Sequence, residues 1–331
     1  MRAVIFDGER LGVDMDRAEP DVAATRGEAV VRPLLAGICS TDLEICKGYM
    51  GFTGVLGHEF VGMVERVNGE DRRRLAGKRV VGAINAVCGS CDLCRAGLTT
   101  HCRNRTVLGI SGRDGCMADR FVLPEANLVA VPDQVDDEAA VFAEPLAAAL
   151  QACRQLHLEG QPYITVLGDG RLGLLCAQAM SRLNASVRVV GKHEAKMNLC
   201  EKWGIKHRHV SEIGRRQDQD VVVDCTGSAD GLALALELVR PRGKVLLKTT
   251  VAPGGYAGGG SLDLSPVVIN EIDVIGSRCG SIADAVKMLA GRVPTVDVIS
   301  LISRRYRLED AEQAFALAGQ PEAIKVLIDM R

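Results

Sequence analysis

Apolar and polar positions along the 331 residues fall into two textures that change near Pro145. Before it, short apolar runs broken by glycine predict strands at Ala29 to Pro33, Phe60 to Val67 and Lys78 to Ile84, the pattern of a β-rich, barrel-like lobe. After it, apolar runs of strand length alternate with stretches of helical period. Strands are predicted at Tyr163 to Leu167, Ser186 to Val190, Val221 to Cys225 and Lys244 to Lys248, with helices starting at Leu172, Glu194 and Ala229. That alternation predicts βαβ units and a parallel, doubly wound sheet. The run Gly254 to Gly260 reads as a loop, either a plain linker or a moving lid. From Ser281 to Arg331 the pattern is mixed, with a helix from Glu309 and a strand at Ile324 to Ile328, and this segment is expected to fold back on the first lobe. The fold class is α/β. The first domain is expected to span 1–147, completed by 281–331, and the second 148–280.

Composition narrows the function without choosing it. A hydrophobic content of 47% with 25% charged residues is that of a globular chain, and a net charge of -2 gives no pull toward nucleic acid or an anionic membrane. No run of about 18 uninterrupted apolar residues occurs, and acidic residues interrupt the N-terminus where a signal peptide would be apolar, so a cytoplasmic protein is expected. Twelve cysteines in such a chain predict metal ligands plus scattered core thiols, with Cys153, Cys176, Cys200 and Cys225 in apolar patterns.

Eight residues have the chemistry and spacing of metal ligands. Cys88, Cys91, Cys94 and Cys102 stand as C-x2-C-x2-C-x7-C beside Gly89 and Gly97, a spacing that lets one turn wrap a tetrahedral zinc. His101 is an alternative fourth donor, although Cys102 suits an all-thiolate set better. Upstream, Cys39 offers a thiolate and His58-Glu59 an imidazole and a carboxylate, with Glu144 a second candidate carboxylate in Glu144-Pro145-Leu146. Three such ligands leave one position open for a substrate oxygen, as in a catalytic zinc site. One closed structural zinc and one open catalytic zinc per chain are therefore expected.

Between the predicted strand ending at Leu167 and the helix that follows, Gly168-Asp169-Gly170-Arg171-Leu172-Gly173 forms G-x-G-x-x-G, the dinucleotide fingerprint. Gly168 is expected to make the turn, Gly170 to let backbone approach a pyrophosphate and Gly173 to let helix and strand pack closely. An NAD-selective protein carries an acid about 20 residues further on, at the end of the second strand. Here that place holds Gly191, followed by Lys192 and His193. Room beside Gly191 and cationic neighbours, Lys196 among them, predict NADP over NAD, with Glu194 as the alternative holder of the ribose.

These motifs together resemble the zinc-dependent medium-chain dehydrogenase/reductase family over essentially the whole chain. The resemblance rests on Gly57-His58-Glu59, the four-cysteine lobe, the glycine fingerprint and Gly276-Ser277-Arg278. Glu144-Pro145-Leu146 is closer to the polyol, threonine and glucose dehydrogenase branch than to the alcohol dehydrogenases. The resemblance implies a GroES-like catalytic domain, a Rossmann domain, homodimers or homotetramers, and hydride transfer between an alcohol or carbonyl substrate and NAD(P). It implies a proton-passing role for Thr41. Glu44 stands where many members continue that relay with histidine, so either Glu44 or water takes the proton. Asp42 resembles the acid that supports the zinc ligands. Thr226, Ser277 and Arg278 join the cofactor-binding set, and Arg278 and Tyr49 are candidates for substrate contact. Two rivals remain: a zinc-free reductase of the same fold, which would lack Cys39, His58 and the quartet, and a non-catalytic zinc-binding or dinucleotide-sensing protein.

Overall fold

The computed structural model describes residues 1–20, 27–68, 74–249, 263–291 and 296–331; the expected loop at Gly254 to Gly260 lies outside them. The chain divides into two compact units. One comprises Met1–Glu144, Ser281–Pro294 and Leu301–Arg331, and the other Pro145–Gly280 and Thr295–Ser300.

The first unit is built on a seven-stranded sheet. Its spine is the strand Glu28–Gly37, which pairs antiparallel with Glu59–Val67 on one side and with Lys325–Asp329 on the other. Alternating Val31, Leu35, Val61, Val64, Val80 and Leu327 are buried, and Phe60 meets Phe121 edge to face at 4.7 Å between centroids. A proline inside such a strand removes a ladder hydrogen bond, and the register shifts between Pro33 and Leu35, where the missing donor is absorbed. Lys325–Asp329 also pairs parallel with Ile302–Arg307, so the last residues of the chain lie in the same sheet as the early strands. Gly37 is thereby the register partner of both Glu59 and Leu327, two positions from Lys325.

The second unit holds six parallel strands in the order Lys206–His209, Ser186–Gly191, Tyr163–Leu167, Gln219–Asp224, Val239–Leu247, Asp273–Gly276. In chain order within this unit that is 3-2-1-4-5-6, the order of a dinucleotide-binding sheet whose ligands sit at the carboxyl ends of the strands. The strands are filled by Ile164, Val166, Val189, Val221 and Val223, against Leu174, Leu175 and Met180 of the helix Arg171–Met180. The one fully buried hydroxyl among the central strands, that of Thr165, donates to Gln219 Oε1 at 2.6 Å. The α/β class matches the expected one. The strands Lys206–His209 and Asp273–Gly276 were not expected, because the first reads Lys-His-Arg-His and the second is mostly exposed.

Candidate functional site

In the first unit, the donor atoms of Cys39, His58 and Glu59 all lie within 4.8 Å of one another. Cys39 caps the short helix Ser40–Ile45 at the end of the spine strand, and Glu59 opens the neighbouring strand. Asp42 locks the two together. Its buried carboxylate accepts from Cys39 N at 2.7 Å and Gly57 N at 3.2 Å, and lies 3.3 Å from His58 Nδ1. Turning Nδ1 toward Asp42 leaves Nε2 to face a metal, the arrangement by which a carboxylate orients a ligating histidine. Among the described residues His58 Nδ1 nonetheless makes no aligned hydrogen bond, and Glu59 Oε1 is buried without any hydrogen-bond partner. Burial alone would disfavour a charged His58, yet the Asp42 carboxylate and the Cys39 thiolate outweigh it and hold the imidazole well above its ordinary pKa.

Sequence reasoning missed the cation of this site. Lys325 is fully buried, its ammonium contacts Glu59 Oε2, donates to Ile38 O at 3.3 Å and lies 5.6 Å from the centre of the Phe142 ring. Burial pushes this ammonium down to about 8, against the opposing pull of Cys39 and Asp42. The pair has room only because residue 37 is glycine: a Cβ there would lie 2.6 Å from Glu59 Oε2 and 3.0 Å from Lys325 Nζ. When Cys39 is a thiolate, Cys39, Asp42 and Glu59 bring three negative charges, which a protonated His58 and Lys325 offset in part; an ion that takes the place of the His58 proton leaves Lys325 alone against the three. The two left over, with the orphaned Glu59 Oε1, fit a divalent cation held by sulfur, nitrogen and oxygen, a donor set suited to zinc.

The remaining expected residues are placed as follows. Thr41 Oγ1 lies 3.7 Å from Cys39 Sγ. Glu44 is ion-paired with Lys47 at 2.8 Å near the surface. Glu144, in the first turn of the helix Ala143–Gln155, is outside the three-residue set, and Tyr49 is half-buried in the turn Tyr49–Gly51.

Cys88, Cys91, Cys94 and Cys102 form the second cluster, again with donor atoms within 4.8 Å. Cys102 Sγ lies 3.5 Å from Cys88 Sγ and 3.9 Å from Cys91 Sγ. Four thiolates at the usual ~2.3 Å from a tetrahedral zinc would be about 3.8 Å apart, so the cage has the size of the ion. Backbone N–H groups of Ser90 and Cys91 pull the Cys88 thiol down to about 5, which favours the ligating thiolate. A bidentate Arg103–Asp92 pair at 2.8 Å ties the turn, and exposed His101 is outside the cluster.

In the second unit, Gly168 turns the chain with φ +103°, and Gly173 packs so closely that a Cβ there would lie 2.0 Å from Gly168 O. Gly170 caps the helix that opens with Arg171 and Leu172, and a Cβ on it would meet nothing within 4 Å. The helix N-terminus is therefore open to a phosphate, and the residues fit a dinucleotide. Thr226 stands just past the neighbouring strand, where its hydroxyl donates to Asp224 Oδ1 at 2.7 Å. Ser277 is buried and accepts from Lys248 Nζ at 3.1 Å, while the same ammonium donates to Ala148 O and Arg278 O; the Arg278 side chain is exposed. One expectation is corrected: Gly191 does not leave room. The Asp169 carboxylate fills the space beside it, and a Cβ on Gly191 would lie 2.4 Å from Asp169 Oδ2. Lys192 is exposed, His193 half-buried, and Glu194 exposed in the first helical turn.

Two family models match the chain: the alcohol dehydrogenase GroES-like domain over residues 25–133 and the glucose dehydrogenase C-terminus over 139–330. An L-threonine 3-dehydrogenase of Chelativorans sp. (strain BNC1) is 28% identical over 99% of this chain and 98% of its own length. A D-arabitol-phosphate dehydrogenase of Enterococcus avium is 29% identical over 92% of this chain and 91% of its own. A solved zinc-binding dehydrogenase from Sinorhizobium meliloti 1021, bound to NADP, superimposes with a TM-score of 0.85 at 25% identity, covering 99% of this chain and 98% of that one.

Proposed function

This chain belongs to the zinc-dependent medium-chain dehydrogenase/reductase family, in its polyol, threonine and glucose dehydrogenase branch, and from that premise we propose that it oxidises the CH–OH group of a small polyol, sugar or amino alcohol with NAD(P), and reduces the matching carbonyl. The observation that carries this reading is the set of half-buried Cys39 and buried His58 and Glu59 around an excess of negative charge. Zinc at that set supplies a Lewis acid for the substrate oxygen, and the dinucleotide supplies the hydride acceptor.

The chain's own residues divide the remaining work. Asp42 orients His58 and braces the Cys39 backbone. Lys325 holds one oxygen of Glu59, and the other, Oε1, is the one that would hold the ion. Glu144 is the alternative hard oxygen donor, from the start of its helix, and exchange of the two carboxylates during turnover is within this reading. Thr41 takes the proton that leaves the substrate hydroxyl, its oxygen lying beside Cys39 Sγ. With Glu44 already engaged by Lys47, water carries the proton onward. The Cys88, Cys91, Cys94, Cys102 cage holds a second zinc that stabilises the lobe.

The choice between the two dinucleotides turns on the strand end at Gly191. Lys192, His193 and the NADP bound by the S. meliloti neighbour support NADP. The Asp169 carboxylate supports NAD: it is buried and held by hydrogen bonds, whereas Lys192 is exposed and His193 is engaged by Asp169 itself.

We place the protein in the cytoplasm, on twelve cysteines of which none forms a disulfide. Among the described residues no helix is long and apolar enough to cross a membrane. A homodimer or homotetramer is supported by the second unit's sheet, whose order ends in the exposed strand Asp273–Gly276. Val268 and Ile269 of the helix before it are 79% and 76% exposed. The test is a screen of polyols, aldoses, polyol phosphates and amino alcohols for dinucleotide reduction by zinc-loaded protein. Turnover of none of them, with two zinc ions bound, would favour the non-catalytic reading.

A further inference from the structure

In dinucleotide-binding sheets the choice between NAD and NADP is made at the carboxyl end of the second strand, where an acid accepts the ribose 2′-hydroxyl and repels a 2′-phosphate. Gly191 ends that strand here and carries no side chain. The fingerprint turn crosses to the same place: Gly168 N donates to Val190 O at 2.8 Å, which sets the next residue, Asp169, directly over Gly191. A Cβ built on Gly191 would lie 2.4 Å from Asp169 Oδ2 and 2.6 Å from its Cβ and Cγ. A side chain starting from residue 191 and the carboxyl group of residue 169 therefore compete for one space, and the carboxyl group has it.

Three donors hold Asp169 there. Oδ2 accepts from Lys192 N at 2.7 Å and His193 N at 2.6 Å, and His193 Nδ1 lies 3.0 Å from Oδ1. Burial works against the charge, but His193 and the two backbone N–H groups outweigh it and keep the carboxyl below its ordinary pKa. Among the described residues Oδ1 has the imidazole as its one partner, and it retains acceptor capacity for a hydroxyl. Two of the opposing cations are weaker than the sequence suggests. His193 is engaged by Asp169 itself, and Lys192 is exposed, where solvent and salt screen its attraction.

We infer that Asp169 performs, from the fingerprint turn, the task of the missing strand-end acid: it accepts the adenosine ribose 2′-hydroxyl and makes the site selective for NAD over NADP. The inference rests on the dehydrogenase reading but is separable from it. A charge-assisted hydrogen bond gained with NAD and a like-charge contact met with NADP set the scale at tenfold to a hundredfold, using about 1.4 kcal/mol per decade.

The test is equilibrium titration of the full-length, zinc-loaded protein with NADH and NADPH, followed by nicotinamide fluorescence, beside a thermal-shift measurement with each. The wild type should bind NADH at least tenfold more tightly. Asp169→Asn should shift the ratio toward NADPH by tenfold or more, and Glu194→Gln should leave it unchanged. Equal or tighter NADPH binding by the wild type, an unchanged ratio in Asp169→Asn, or a collapse of the ratio in Glu194→Gln would each overturn the assignment. Should Asp169→Asn fail to fold, the wild-type ratio and the Glu194 variant still decide. Tight NADPH binding with retained alcohol oxidation removes this inference alone, whereas binding of neither dinucleotide removes the dehydrogenase reading with it.

Discussion

Replacing Lys325 by methionine removes the lysine cation from a buried cluster dominated by negative charge while nearly preserving side-chain volume. The loss is electrostatic rather than a packing defect. In zinc-free protein it strands Glu59, which has no other hydrogen-bond partner on Oε1 and loses its only ion pair on Oε2. Breaking a fully buried pair from one side costs about 3–5 kcal/mol. For a unit of this size each kcal/mol moves the melting midpoint by about 2–4 °C, so the transition of the first unit should fall by roughly 6–20 °C. Zinc-loaded protein should behave differently, because the ion beside Glu59 compensates the stranded charge. There the loss should stay below about 1 kcal/mol, the level of an ordinary substitution. Scanning calorimetry of Lys325→Met and wild type, each with bound zinc and after chelation, gives both differences, and the contribution of the cysteine cage cancels within each metal state. Equal losses in the two states, or a zinc-free loss under about 1 kcal/mol, would refute the view that Lys325 and zinc share the neutralisation of one buried anion.

Two further substitutions probe the same architecture. Gly37→Ala drives a Cβ to 2.6 Å from Glu59 Oε2 and should cost about 1–3 kcal/mol by overpacking while lowering zinc affinity at the Cys39 site, read by chelator competition. Cys91→Ser opens the four-thiolate cage, in which Cys91 also accepts from Cys94 N at 3.5 Å. It should remove one zinc per chain and lower the melting midpoint, while the fraction that remains folded retains turnover.

The parts of this protein legible in its sequence are those written in local pattern. The strand Tyr163–Leu167 and the helices opening near Glu194 and Ala229 follow from apolar periodicity, and the cysteine quartet from spacing within one turn. Lys325 was not legible. It lies 266 residues from Glu59 in the chain, inside a strand that reads as ordinary edge sequence, and only the antiparallel pairing of Leu327 with Gly37 brings it to the site. The sequence pattern assigns Asp169 no role, for a related reason. The position of its carboxylate depends on the parallel register of Leu167 with Val190, a relation between segments that no local window contains. Gly191 looked like open space because an absent side chain in a sequence says nothing about which neighbour fills its place.

The central claim, a closed zinc and an open, reactive zinc in one chain, is tested most directly by metal counting joined to turnover in His58→Ala. Wild-type protein should carry two zinc ions per chain and reduce dinucleotide in the presence of its alcohol. His58→Ala should retain one zinc, held by Cys88, Cys91, Cys94 and Cys102, keep its fold and lose turnover by about a hundredfold to a thousandfold or more, the scale of removing a principal electrostatic stabiliser of the transition state. A His58→Ala protein that keeps two zinc ions, or that turns over at the wild-type rate with one, would contradict the account.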